Sequence, residues 1–340
     1  MTAKLMIDPG QVSLAAWREI FVDKPEIGLV DGVRAVVDAC QATVARMLES
    51  GDPIYGVNTG FGKLAQIRID DQKISELQRH LIMSHSAGTG PLLDDDLVRL
   101  VMILKVTALA QGHSGVRWLI IETLLTFIND GIFPCIPVKG SVGASGDLAP
   151  LSHMVAAMMG MGNVRIDGEI VSAENALQSA GLEPLVLGPK EGVALINGTQ
   201  LSTALALKGL FAAEDLLRAA LVTGAMTVDA CKGSTTPFDP RIHELRGQEG
   251  QKATAKVYRR LLNGSRIRES HIDCEKVQDP YCLRCQPQVM GACLDQLDFA
   301  AQVLEREANS VSDNPLVFPD DEEILSGGNF HAEPVAMAAD

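Results

Sequence analysis

From Ala194 to Ala230 the sequence reads as nearly continuous helix, free of proline and dense in Ala and Leu. A helix of that length exceeds the ordinary globular element and is typical of bundles in which long helices lie side by side. A second long amphipathic run covers 289–309. The two predict a mainly α protein, with an N-terminal helical and loop domain over 1–193 followed by a long-helix bundle over 194–340. One pair resists the pattern: Asn197-Gly198 would ordinarily mark a turn, yet here it interrupts an apolar helical stretch.

Composition agrees with packed helices. The chain of 340 residues is 46% hydrophobic and only 4% aromatic, which implies a core of Ala, Leu, Val and Met. Forty-three acidic residues against 29 basic give a net charge of −14, which argues against nucleic acid or an anionic membrane as partner. Lys105 and Lys208 break the longest apolar runs short of the roughly 18 residues that a membrane span needs. The start, Met-Thr-Ala-Lys-Leu-Met-Ile-Asp, lacks the apolar core of a signal peptide, so a soluble cytoplasmic protein is expected. Seven cysteines in such a chain read as reduced thiols. Cys274, Cys282, Cys285 and Cys293 include one Cys-x2-Cys zinc spacing. The outer two lie well away from that pair and no second pair follows, so no metal is expected.

Along the chain, helices are predicted over 13–20 and 32–48 with a turn-like link between them, then over 72–85, 93–111 and 115–130, the last capped by Ser114. Residues 51–71 form a long loop. Its Gly60-x-Gly62-x-x-Ala65 is a weak dinucleotide fingerprint, with no convincing strand before it or helix after it. Gly131 to Pro137 breaks the helical pattern, and Asp147 is placed to cap the next helix, which ends at Gly160 and Gly162. Residues 164–171 alternate around Asp167-Gly168 as a small hairpin. Further on come a loop over 232–250, a helix over 251–262, a polar loop over 277–288 and a helix opening at Val335.

The chemistry centres on Gly140-Ser-Val-Gly-Ala-Ser-Gly-Asp-Leu-Ala-Pro150. A serine-hydrolase elbow needs G-x-S-x-G, and here the second glycine falls one place early. Ala144-Ser145-Gly146 offers something else. Gly146 has no Cβ, so its amide nitrogen can approach the Ala144 carbonyl carbon and close a five-membered ring. Loss of one water from the ring and of the Ser145 hydroxyl as a second leaves an exocyclic methylidene, an electrophile made from the chain itself.

That stretch resembles the aromatic amino acid ammonia-lyases, whose 4-methylidene-imidazol-5-one arises from the same tripeptide. Five further segments resemble the family in the same order: Tyr55-Gly-x-Asn-Thr-Gly-Phe-Gly62, Ser84-His85-Ser-Ala-Gly88, Asn197-Gly-Thr-Gln200, Gln278-Asp-Pro-Tyr-x-x-Arg284 and Gly327-Gly-Asn-Phe-His331. The resemblance runs from about Val12 to Asp340 and is nearest to the histidine-specific branch. It implies the long-helix bundle of the fumarase and aspartase type and conversion of L-histidine to trans-urocanate and ammonia. No external cofactor would be needed beyond the group made from Ala144, Ser145 and Gly146.

The resemblance also suggests roles. Tyr55 would be the base and Tyr281 a second catalytic phenol, either of which needs nearby positive charge or donors to act at neutral pH. Arg284 would hold the substrate carboxylate through its planar fork. Asn197 would stabilise charge on the electrophile. Gln278 and Phe330 would complete and shield the pocket, and His85 would select an imidazole over a benzene ring. The substrate amine is the favoured attacking group, with the aromatic ring as the alternative. Family members form homotetramers with active sites shared between subunits, and they continue past the position of Asp340 with more helix. A C-terminally truncated chain is therefore expected, without the family's substrate-contacting glutamate. A phenylalanine or tyrosine lyase or an aminomutase could use the same electrophile. Outside that chemistry stand an inactive helical scaffold and a zinc module built on the cysteine cluster.

Overall fold

The computed structural model describes residues 4–49, 54, 59 and 73–340. The chain divides into two compact units, Met1–Leu207 with Leu304–Asp340, and Lys208–Val303. The sequence reading parts the chain at 193/194 on helix length, whereas the units part at Leu207, inside the long helix.

In the first unit, β1 (Lys4–Ile7) pairs in parallel with β2 (Glu26–Leu29), on either side of α1 (Leu14–Val22). The expected turn-like link before α2 (Val33–Glu49) is thus partly a strand. Helix α3 (Ile74–His85) leads into β3 (Thr89–Leu92), α4 (Asp95–Leu109) and α5 (Trp118–Asn129). Next come β4 (Phe133–Pro134), β5 (Pro137–Lys139) and α6 (Leu148–Met158). These strands are too short to show a period of two in sequence. The hairpin β6 (Asn163–Ile166) and β7 (Glu169–Ser172) forms as expected, with positive φ at both Asp167 and Gly168, as its two-residue turn requires. Helices α7 (Ala173–Ser179) and α8 (Glu191–Ile196) follow, and α9 (Gln200–Ala230) is the long helix.

Helix α4 is buried on every side from Leu97 to Leu109, which fits a segment apolar all round. Its buried aliphatic side chains each contribute about 1.5–3 kcal/mol. It also carries two cations inward, and carbonyls receive both. The Arg99 guanidinium donates to the Ile20 and Pro25 carbonyls, and the Lys105 ammonium to those of Ala194 and Asn197.

Two expected caps are corrected. Helix α5 begins after Arg117, not Ser114, because the Arg117 amide and guanidinium both donate to the buried Glu191 carboxylate. A partner 74 residues away replaces the local cap. Asp147 does precede α6, but its carboxylate makes no cap bond to that helix.

The second unit takes α9 from Lys208, a 3-10 turn at Thr236–Phe238, α10 (Pro240–Arg246), α11 (Glu249–Leu262), α12 (Arg266–Glu269), α13 (Tyr281–Arg284) and most of α14 (Gln286–Ala308). The expected loop over 232–250 therefore contains a helix. Its signals were local: Asp239 accepts from the Arg241 amide at 2.9 Å, Pro240 opens the helix and Gly247 at φ +77° closes it. The polar loop over 277–288 likewise contains α13 and the start of α14. Phe238, Tyr258, Leu262, Val228 and Leu283 form the core, with Phe238 and Tyr258 stacked at 5.1 Å. Gly250 and Gly291 let α11 and α14 meet backbone to backbone, since a Cβ at Gly291 would stand 2.4 Å from the Gln251 nitrogen.

The chain returns to the first unit with β8 (Leu316–Phe318), β9 (Glu323–Leu325) and α15 (Glu333–Ala339). No described helix is long and apolar enough to cross a membrane.

Candidate active site

Strand β5 pairs with β3 and delivers the chain directly into the Gly140–Pro150 loop. The same pairing fixes the segment after α3. A Cβ on Gly140 would lie 3.2 Å from the Gly88 Cα, and the Gly88 amide donates to His153 Nε2 at 3.0 Å. Burial pushes the His153 imidazole below its ordinary range, consistent with a neutral ring whose Nε2 accepts. His85, at the last turn of α3, has Nδ1 2.9 Å from the Leu81 carbonyl and 3.1 Å from the Ser84 hydroxyl; in the tautomer whose Nδ1 donates to Leu81, Nε2 is an acceptor.

Ala144 and Ser145 are exposed at the tip of the loop, whereas Gly146 and Asp147 are buried. Gly146 sits at φ +79° against the break between α8 and α9. A Cβ there would stand 2.6 Å from the Gly198 nitrogen and 2.7 Å from its oxygen, so only glycine fits. The Asp147 amide donates to the Gly198 carbonyl at 2.7 Å. The Asp147 carboxylate accepts from the Ser141 hydroxyl at 2.6 Å, the Ser202 hydroxyl at 2.7 Å and the Ser202 amide at 2.8 Å. It thereby satisfies an amide in the first turn of α9.

The break itself is pinned from several directions. Lys105 Nζ donates to the Asn197 carbonyl at 2.7 Å, while the Ser312 hydroxyl accepts from the Thr199 amide at 3.2 Å and from the Gln200 side chain at 3.1 Å. The Thr199 hydroxyl donates to Glu307, whose carboxyl is pushed up chiefly by burial. Amid these bonds the Asn197 side-chain oxygen is buried without a partner. Beside Ser312, Asp313 pairs with buried Lys190 at 3.0 Å, and Asn314 accepts from the Gly327 amide at 2.6 Å. Five residues further on, the Ala332 amide donates to the Gly143 carbonyl at 3.0 Å, which ties the segment carrying half-buried Phe330 back to the Gly140–Pro150 loop.

The residues matched over this whole span decide the family: the model for aromatic amino acid lyase covers 12–340. The chain belongs to the aromatic amino acid lyase family. It is 55% identical to the histidine ammonia-lyase of Vibrio cholerae over 99% of its own length and 66% of that protein's. To the histidine ammonia-lyase of Paracidovorax citrulli it is 56% identical with the same coverage. The chain thus spans 66% of the length of these relatives. Among solved structures, the phenylalanine aminomutase of Pantoea agglomerans superposes with a TM-score of 0.93 at 31% identity, covering 98% of this chain and 68% of that one. The histidine ammonia-lyase of Trypanosoma cruzi gives 0.88 at 34%, covering 99% and 63%. A lyase and a mutase share the backbone, so the family's fold alone does not choose between their reactions.

The first unit of this lyase-family chain brings together Ala144, Ser145, Gly146 and Asn197, along with the segments bearing His85 and Phe330. Gln278, Tyr281 and Arg284 belong to the second unit. There the Arg284 guanidinium lies 4.6 Å over the Tyr281 ring, and its Nε is buried without a partner. Gln278 and Arg284 line a cavity of about 420 Å³ together with Lys232, Arg268 and His271. Tyr55 lies outside the described residues. All seven cysteines are unpaired, and among the described residues no three His, Cys, Asp or Glu side chains could hold a metal ion. The sequence reading gave no role to Lys105, His153, Lys190, Glu307, Ser312 or Asp313. Lys105 had left one trace, as the charge that interrupts an apolar run.

Proposed function

We propose that this chain serves the non-oxidative deamination of L-histidine to trans-urocanate and ammonia, through a 4-methylidene-imidazol-5-one formed from Ala144, Ser145 and Gly146. The observation that carries the reading is the Gly146 cradle, where the Gly198 backbone occupies the space of a Cβ. Ring closure requires the Gly146 nitrogen to bond to the Ala144 carbonyl carbon. The carbonyl oxygen leaves as water with the amide hydrogens of Ser145 and Gly146, and the Ser145 hydroxyl leaves with the Cα hydrogen as a second water. A bulkier residue at 146 would meet Gly198 before it could turn. The Asn197 side-chain NH2 stabilises charge on the electrophile. The methylidene supplies an electrophile that ordinary side chains do not offer.

The chain's own residues do the rest. His85 holds its Nδ1 proton on Leu81, so its Nε2 can accept an N–H from a substrate imidazole, which a benzene ring cannot provide. Arg284 receives the carboxylate through its fork, with Gln278 beside it. Tyr55 takes the β-proton, Tyr281 assists proton movement, and Phe330 limits water entry. Exposed apolar side chains on the second unit, among them Leu216, Met226, Val289 and Phe299, support assembly into a homotetramer with shared sites. The same electrophile would serve a phenylalanine or tyrosine lyase or an aminomutase, and solved relatives of both reaction types favour keeping that second reading.

The test is the intact mass of the chain followed by product analysis with histidine, phenylalanine and tyrosine. A deficit of two waters that Ser145→Ala abolishes, with urocanate as product from histidine, is the expected result. A full-length mass without that deficit refutes the electrophile. A β-amino acid as product would move the chain to the mutase reading.

A further inference from the structure

Lys105 is fully buried in the centre of α4, and its side chain reaches the end of α8. Its Nζ donates to the Ala194 carbonyl at 3.2 Å and to the Asn197 carbonyl at 2.7 Å. Those are carbonyls that the end of a helix leaves without an intrahelical donor, and a cation there also complements the helix dipole. Asn197 is the last residue before Gly198, and Gly198 is the wall that faces Gly146.

We propose that Lys105 is a positioning residue for formation of the prosthetic group: by clamping the Asn197 carbonyl it fixes the Gly198 backbone against which Gly146 is held. The inference rests on the reading given under Proposed function. Three bonds define the break, one to each of its residues. Lys105 holds the Asn197 carbonyl, the Asp147 amide holds the Gly198 carbonyl, and Ser312 holds the Thr199 amide. Of these donors and acceptors, Lys105 is the one whose side chain has no other hydrogen-bonding duty outside α8 and the break. Two carbonyls match two N–H groups, so the clamp persists in the neutral amine as well as in the ammonium. Burial lowers the Lys105 pKa to about 7, opposed by Asp313 and Asp147 and assisted by Lys190. The clamp is accordingly expected to work on both sides of neutrality.

The experiment uses the whole chain, made by cell-free synthesis as wild type, Lys105→Met and Lys105→Gln. Intact mass is followed over time for the loss of two waters, and folding is followed by the fluorescence of Trp17 and Trp118, both in the first unit. Met and Gln both end one atom short of the lysine nitrogen; Met removes the donors, whereas Gln keeps a neutral NH2. The expected result is Lys105→Met that folds yet loses its waters about ten- to hundred-fold more slowly than wild type, since a reacting atom misplaced by an ångström costs about that much. Lys105→Gln should recover part of the rate. A purely structural role would lower the folded fraction and leave the rate per folded chain unchanged. Water loss at the wild-type rate in folded Lys105→Met overturns the proposal. Failure of both variants to fold also overturns it, because Lys105 would then be a core residue and no more. If wild type itself never loses two waters, the electrophile reading fails first and this inference falls with it.

Discussion

Replacing Gly146 with alanine puts the strongest single demand on the geometry. Gly146 lies at φ +79°, where a non-glycine residue costs about 1–2 kcal/mol. The new methyl would also stand 2.6 Å from one backbone atom of Gly198 and 2.7 Å from another. Neither is the end of a flexible side chain, so the loop or the break must move, at about 1–3 kcal/mol more. Gly162 provides the control. It has nearly the same φ, +78°, and nothing within 4 Å of its Cβ position, so Gly162→Ala bears only the backbone cost. Urea unfolding read by Trp17 and Trp118 measures both. Gly146→Ala should lie about 1–3 kcal/mol below Gly162→Ala. It should also keep its full mass, whereas Gly162→Ala should lose two waters as wild type does. Equal stabilities would refute the contact between Gly146 and Gly198, and a two-water loss in Gly146→Ala would refute its part in ring closure.

In the second unit, Gly291→Ala sets a methyl 2.4 Å from the Gln251 nitrogen and should lower stability by about 1–3 kcal/mol. Gly209→Ala, in α9 with open space around it, should raise stability by about 0.5–1 kcal/mol through helix propensity. Far-UV circular dichroism in denaturant separates them, and similar midpoints would remove the close α11–α14 approach. His153 makes a pH prediction. Its folded pKa lies below the ordinary value of 6.5, so between the two the unfolded chain binds a proton that the folded chain lacks. Stability from this group is present above about pH 6.5 and is lost as pH falls through the folded pKa. His153→Gln, whose amide oxygen can still accept from Gly88, should flatten the stability curve below about pH 6.5. An unchanged slope would contradict the assignment.

Helix positions were legible in sequence because their causes are local. The stripe of Val33, Val37, Cys40 and Val44 repeats at helical spacing, and these residues are the buried face of α2. Asp167-Gly168 announced its hairpin because both residues can take positive φ. Helix α10 carries its own local signals in Asp239, Pro240 and Gly247, but the prolines and glycines of 232–250 are equally loop formers, and only their order separates the two. The β1–β2 pair was not legible. Each strand has four residues, and the burial of β2 depends on a partner in parallel from the other side of α1.

The tripeptide proposed to react stands out in sequence because the chemistry it would undergo is covalent and lies within three consecutive residues. What holds it could not, because each supporting bond joins residues remote in the chain. Lys105 and Asn197 are 92 positions apart, Thr199 and Ser312 113, and Lys190 and Asp313 123. Each of these polar side chains is tolerable inside the protein only because a distant group satisfies it. In sequence, Lys105 is a blemish in an apolar helix and Ser312 an ordinary turn residue. In the fold both end on the same three-residue break, and through Gly198 that break meets Gly146. The loop proposed to bend on itself is therefore backed by a wall whose own backbone groups are already bonded, so displacing the wall would break bonds to α4, to Asp147 and to the Ser312 turn together. A substitution far along the chain from Ser145 can for this reason disturb the loop as much as one beside it.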